Sequence, residues 1–165
     1  MPVLATRVDQ KLIHGQVTLG WAPFLAIEEI IVADDLALES ELLMDIMSAG
    51  VQPPVKYTSF ISPAKLGELI KARPTNDPRA MILFRDVAGV GEAVKGGLAL
   101  ASLNLGNHFN LAGCERLRLA DSFFVSREDL TTLTSLAKTG LRIYFQSLPA
   151  DPPVPFDPGR YRWTR

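Results

Sequence analysis

The run RAMILF, residues 79–84, is apolar at every position after its arginine. A strand with one wet face alternates polar and apolar residues, so a continuous run demands cover on both faces. Other short, β-rich runs surround it: VLATRV (3–8), EEIIVAD (28–34), VKYTSF (55–60), LASLNLG (100–106), SFFV (122–125) and LRIYFQSL (141–148). Helical patterns lie between most of them. This β-α-β-α order predicts an α/β fold with a single, mostly parallel β-sheet and helices on both faces.

The helical segments carry their own punctuation. GQVTLGWAPFL (15–25) spaces Val17, Trp21 and Leu25 four apart, and Pro23 weakens its last turn. Trp21 and Phe24 read as core. After the second strand, Asp35 is a candidate cap for a helix with Leu42, Leu43, Ile46 and Met47 on one stripe and Gly50 at its stop. SPAKLGELIKA (62–72) places Ser62 at N-cap and Pro63 at N1. VGEAVKGG (90–97) reads as a short helix ended by Gly96 or Gly97. In SREDLTTLTSLAKTG (126–140), Ser126 and Asp129 form a capping-box pattern, Leu130, Leu133, Leu136 and Ala137 share a face, and Gly140 ends the helix.

A chain of 165 residues suits one domain, assigned to 1–148. The remaining 149–165 holds five prolines and reads as an extended tail on the surface or on a neighbour.

The formal net charge of -1 offers no broad attraction for nucleic acid, and no nucleic-acid partner is expected. A single cysteine, Cys114, excludes an internal disulfide and a thiolate metal cage. It reads as a small hydrophobe in a reducing compartment. No targeting pattern opens the chain, and no apolar run reaches the roughly 18 residues of a membrane span. A soluble, cytoplasmic protein is expected. With two histidines and no metal-ligand spacing, no metal site is expected. GVGEAVKGG (89–97) lacks the nucleotide-loop patterns, and no cofactor is expected.

Ligands of open parallel sheets bind outside the carboxyl ends of the strands. That rule collects Arg7, Asp9, Lys11 and His14 after the first strand, Asp34 and Asp35 after the second, Arg85 and Asp86 after RAMILF, and Asn104, Gly106, Asn107 and His108 after LASLNLG. The two acids at 34 and 35 read chiefly as caps, and Arg85 and Asp86 chiefly as rim residues. His14 stands where a loop becomes a helix, and Gly15 permits close backbone approach. Helix-start N–H groups welcome anions. A neutral imidazole is a nucleophile. Asp9 could orient the ring from its other nitrogen, and Lys11 and Arg7 could add positive charge. Such a site suits a histidine that takes up and releases a phosphoryl group. On residue chemistry alone, a merely polar helix cap remains an open reading.

The segment RVDQKLIHGQV (7–17) resembles the active-site segment of the mannose/fructose/sorbose-family IIB components of the bacterial phosphotransferase system. The family pattern R-[IV]-D-x-R-L-I-H-G-Q-V matches at Arg7, Asp9, Leu12, Ile13, His14, Gly15, Gln16 and Val17. IIVADD (30–35), PPVK (53–56), LNLGN (103–107) and VSREDL…LAKTGLRIYF follow in the family's order, so the resemblance spans roughly residues 2–148. It implies a doubly wound sheet with one antiparallel strand. It implies that His14 accepts a phosphoryl group on Nδ1 from a IIA histidine and passes it to a sugar held by the membrane subunits IIC and IID. Arg7, Asp9, Lys11, Gly15 and Gln16 would support the phosphate, with Asp34, Arg85, Asn104, Gly106 and His108 as candidate walls.

Two departures stand out. Lys11 replaces the family's arginine, keeping the charge but not the planar fork. The proline-rich end replaces a charged or amphipathic helix common in related chains. Two rival readings follow: a regulatory relay without transport, and an inert binding module. Peripheral attachment at the inner membrane face would come through the permease. A homo-oligomer is left open.

Overall fold

The computed structural model describes residues 3–74, 76–109, 113 and 115–163. The expectation for Cys114 lies outside them. Among the described residues, β1 (Val3–Asp9), β2 (Glu29–Ala33), β3 (Tyr57–Ile61), β4 (Ala80–Phe84), β5 (Ser102–Asn107), β8 (Arg142–Phe145) and β9 (Val154–Pro155) form one sheet in the order β3-β2-β4-β1-β5-β8-β9. All pairings are parallel except β8–β9. The sheet is the doubly wound, mostly parallel one anticipated from the alternation. β6 (Leu117–Ala120) and β7 (Phe123–Val125) stand apart as an antiparallel pair, so SFFV is not a strand of the main sheet. β6 was missed because LRLA is short and has a charge at its second position.

RAMILF behaves as its pattern requires. All five residues of β4 are buried, and β4 lies between β2 and β1. Alternate side chains divide between two apolar layers. Ile82 and Phe84 face α4 (Pro63–Ala72), α5 (Val87–Lys95) and α6 (Arg127–Lys138), among Leu66, Val90 and Leu133. Met81 and Leu83 face the opposite layer, among Val17, Trp21, Ala37 and Met47.

That opposite layer departs from expectation in five respects. The first helix is a π-helix over Gln16–Trp21 that runs into α1 (Ala22–Phe24). Trp21 is buried, but Phe24 is 66% exposed and is no core residue. The single helix expected after β2 is split into α2 (Asp35–Leu38) and α3 (Glu41–Ala49), with the whole apolar stripe in α3. Asp34, not Asp35, caps α2 by accepting from the Ala37 N–H at 3.0 Å, and Ser40 caps α3. Only Met47 of the stripe is buried; Leu42 and Ile46 are exposed.

The other caps follow the sequence only in part. Ser126 and Asp129 make the reciprocal capping box of α6, and Gly140 adopts φ +87° beyond it. Pro63 opens α4, although the Ser62 side chain makes no capping bond. Asp86 departs from its rim reading: it caps α5 through the Gly89 N–H, so that helix starts at Val87, three residues before VGEAVKGG.

The proline-rich end is built into the fold. β9 pairs with the sheet edge, where proline is tolerated because one side of the strand needs no ladder bonds. Phe156 is buried against Phe145, and Tyr161 stacks on Phe156.

Candidate functional site

The chain leaves β1 toward β2 on one side of the sheet and leaves β5 toward β8 on the other. The connections therefore diverge at the neighbouring carboxyl ends of β1 and β5, which opens a crevice there. The candidate histidine and its partners lie at these ends.

Register decides which side chains meet. Arg7 is the partner of Asn104, and both point to the face opposite Val8 and Leu105. A register shift after Val8 then places Asp9 opposite Asn107 rather than Gly106. A one-residue slip moves a side chain to the other face. Here it brings the Asn107 amide onto Asp9.

Asp9 is the centre of the cluster. Its Oδ2 accepts from Arg7 Nε at 2.9 Å, from Asn107 Nδ2 at 2.9 Å and from the His14 Nε2–H at 2.8 Å. Its Oδ1 accepts from the Lys11 backbone N–H at 3.1 Å. Burial alone would raise the Asp9 carboxyl. The hydrogen bond from His14, the charge of Arg7 and the bond from Asn107 outweigh burial and hold it below its ordinary value. It is therefore an anion at neutral pH.

The loop that returns His14 to Asp9 is tightly wound. Leu12 adopts φ +52°, an uncommon region for a branched side chain, and its N–H donates to the Asp9 carbonyl at 2.8 Å. Burial of Leu12 at 2% exposure compensates that strain. His14 then opens the helix: its carbonyl accepts from the N–H groups of Val17 and Thr18 and from the Thr18 hydroxyl. Its side chain is 18% exposed, with Nε2 turned inward onto Asp9.

Arg7 does not sit where a phosphate ligand would. It is fully buried, and burial lowers its guanidinium pKa despite the opposing charge and hydrogen bond of Asp9. Nε serves Asp9, Nη1 serves Asn104 Oδ1 and the Gln146 carbonyl, and Nη2 serves Gln16 Oε1. Four of its five N–H groups are thus committed to the protein. Gly106 makes this possible. A Cβ there would overlap the guanidinium and lie 2.6 Å from Nε.

The remaining predicted residues divide. Gln16 joins the cluster, accepting from Arg7 and from Asn107 at 2.8 Å. A Cβ on Gly15 would meet nothing within 4 Å beyond its own neighbours in the chain, so the space beside His14 is open. Lys11 is exposed, with its ammonium 5.9 Å from the centre of the Phe109 ring. Asp34 and Arg85 pair with each other at 2.6 Å, at the ends of β2 and β4 and away from the β1–β5 crevice. Asp35 makes no bond in the cluster. His108 is buried, bonded through Nδ1 to the Phe124 carbonyl at 2.6 Å and tilted against Phe123. Its ring belongs to the β6–β7 side rather than to the His14 cluster.

Two contributors were not singled out from the sequence. The Gln146 carbonyl accepts from both Arg7 and Asn104, and Trp21 lies 5.8 Å from the Arg7 guanidinium while donating to the Ser147 carbonyl. A backbone acceptor has no sequence signature. Asn107 belongs to the strand-end set but not to the chosen wall residues, because its parity depends on the register shift. Among the described residues no group of three or more acidic, histidine or cysteine side chains could hold a metal. Among them, too, no helix is long and apolar enough to cross a membrane.

A family model for the IIB component of the PTS system, sorbose subfamily, matches residues 3–159. The chain is 26% identical over 151 residues to the N-acetylgalactosamine-specific phosphotransferase enzyme IIB component 1 of Escherichia coli (strain K12), covering 90% of this chain and 92% of that one. It is 26% identical over 152 residues to the mannose-specific EIIAB component of the same organism, covering 92% of this chain and 46% of the relative. The crystal structure of the IIBSor domain of the sorbose permease from Klebsiella pneumoniae superposes with a TM-score of 0.81 at 25% identity, covering 93% of each chain. The sequence motif, the doubly wound fold and these likenesses agree, and the chain belongs to the mannose/sorbose family of IIB components of the sugar phosphotransferase system.

Proposed function

We propose that the protein is a phosphocarrier whose acceptor is Nδ1 of His14. The observation that carries this reading is the 2.8 Å hydrogen bond from His14 Nε2 to the buried Asp9 carboxylate. A proton kept on Nε2 leaves the lone pair on Nδ1, the nitrogen that can attack phosphorus.

Transfer then needs little covalent machinery. The bond from phosphorus to the donor's histidine nitrogen breaks as the bond to Nδ1 forms, and no proton has to move. The ring of His14 gains positive charge as it is phosphorylated, and the Asp9 anion faces that charge. Positioning and electrostatics dominate phosphoryl transfer. The backbone N–H groups of Gly15 and Gln16 have no partner among the described residues and stand at the helix start, where anions are stabilised. Lys11 supplies the exposed cation. Gly15 leaves room for an incoming phosphoryl group.

The donor in this reading is a phosphohistidine of a IIA component, and the acceptor is a sugar held by IIC and IID membrane subunits. The mannose-specific EIIAB relative, of which this chain covers 46%, supports the pairing with IIA. Contact with the membrane would run through the permease. The Asn104, Gly106 and Asn107 edge acts through Arg7 and Asp9, not on phosphate directly.

The test is reconstitution with purified enzyme I, HPr and IIA, following label from phosphoenolpyruvate onto this chain. An acid-labile, base-stable adduct on His14 is expected, absent from His14→Ala and unaffected by His108→Asn. Wild-type labelling of the His14→Ala variant would overturn the assignment.

A further inference from the structure

Lys11 departs from the family's arginine. It also has no ion pair among the described residues. A lysine head on a four-carbon stem is mobile, and fixing it costs rotamer entropy. Something must hold it near His14 if it is to act on a phosphoryl group at the right moment.

Phe109 is in place to do so. Its ring centre is 5.9 Å from Lys11 Nζ, within the reach of a cation–π contact. The ring is 38% exposed, so burial in the core does not account for it. It is nevertheless held. The Phe109 N–H donates to Gln10 Oε1 at 2.7 Å, tying it to the loop that carries Lys11 and His14. Its ring lies 6.4 Å from that of Phe124, tilted by 41°. The guanidinium of Arg116 sits 5.1 Å from the Phe124 ring and donates to the Phe109 carbonyl at 3.4 Å.

We infer that Phe109 is a positioning residue for the phosphoryl transfer proposed above, confining through its aromatic face the ammonium of Lys11, which lies three residues before His14 in the same loop. An aromatic ring suits this task better than a carboxylate. A carboxylate would neutralise the cation and take its donors, whereas a ring face engages one side of the ammonium and leaves hydrogens free for phosphoryl oxygens. The inference rests on the phosphocarrier reading.

The test uses the full chain and phosphorylated IIA as donor. Phe109→Leu keeps the bulk and removes the π face; it should slow transfer onto His14 by about two- to fivefold. Phe109→Tyr should transfer as wild type. In a Lys11→Ala background, Phe109→Leu should add nothing, because the residue it positions is gone. A second readout is independent of activity: proton resonances of the Lys11 ε-methylene should lie upfield under the ring current and return to ordinary values in Phe109→Leu. A wild-type rate in Phe109→Leu, or equal slowing with and without Lys11, would overturn the inference and leave the phosphocarrier reading standing. A wild-type chain that takes no label would overturn both, even with the upfield shift present.

Discussion

Arg7 and Asp9 are an ion pair in which neither side chain has solvent exposure. Removing one member of such a pair leaves an unpaired charge in the interior and typically costs about 3–5 kcal/mol. Asp9→Asn is therefore expected to destabilise the protein by about that amount. It should also slow labelling of His14, since an amide carries no charge to face the phosphorylated ring and can turn its NH2 to Nε2, favouring the tautomer with the proton on Nδ1. The pH dependence has a definite sign. The folded Asp9 carboxyl is depressed below its ordinary value of 3.8, so its contribution is full above that value and is lost as pH falls through the folded pKa. Urea unfolding between pH 7 and pH 2 should show wild-type stability falling on the acid side, with a shallower fall in Asp9→Asn. Parallel acid limbs would remove Asp9 from the account. At this scale the motif groups His14, Arg7, Asp9 and Gln16, and the structure places them in one hydrogen-bonded cluster whose individual bonds the motif did not indicate. Arg7 carries the same charge whether it grips a phosphate or a buried carboxylate. Only its complete burial and four committed donors decide between the two.

Elements pack closest where side chains are smallest. α4 and α5 meet through Gly67 and Gly96: a Cβ on Gly67 would overlap the Gly96 carbonyl oxygen and lie 2.6 Å from the Leu98 nitrogen. These are backbone atoms and cannot rotate away. Gly67→Ala would gain helix propensity of about 1 kcal/mol on an open surface. Here it should instead lose about 2 kcal/mol or more, the helices being forced apart as in an overpacked core. A urea midpoint at or above wild type would show that α4 can slide without loss. The helix signals that survived into the structure were local ones: the capping box of α6, proline at the start of α4, glycine after α3 and α5. The splitting of the α2–α3 segment and the π-helical start of the first helix were not legible in this way. The former depends on the competition of Asp34 and Ser40 for N-cap positions, and the latter on how His14 is drawn down to Asp9.

Across the whole molecule, the stretch 154–161 acts as a clasp on the edge of the sheet. Phe156 is 7% exposed, its N–H donates to the Ile143 carbonyl at 2.9 Å, and its ring lies between those of Phe145 and Tyr161. Tyr161 reaches on to the Leu119 carbonyl of β6. Phe156→Ala should cost about 3 kcal/mol, at the lower end for a buried aromatic because one side of the clasp borders solvent. Equilibrium unfolding with a loss under about 1 kcal/mol would mean a loose strap instead. Read as composition, five prolines suggest an extended segment; Val154–Pro155 is extended, but Pro158–Arg160 wind into a 3-10 turn. What composition lacks is the partner: a strand edge offering free backbone groups and an apolar surface around Phe145. The same distinction runs through the protein. Features that a few neighbouring residues impose were determined by sequence alone: strand and helix alternation, the burial of RAMILF, the capping box of α6, and a histidine at a helix start. Tertiary structure decided what depends on strand order and register across about a hundred residues: the crevice at β1 and β5, the shift that turns Asn107 toward Asp9, the exposure of Phe24, and the Gln146 carbonyl beneath Arg7. Local periodicity states which face of a strand is apolar. It carries no information on which strand will lie beside it, and the contacts of this site are made between strands.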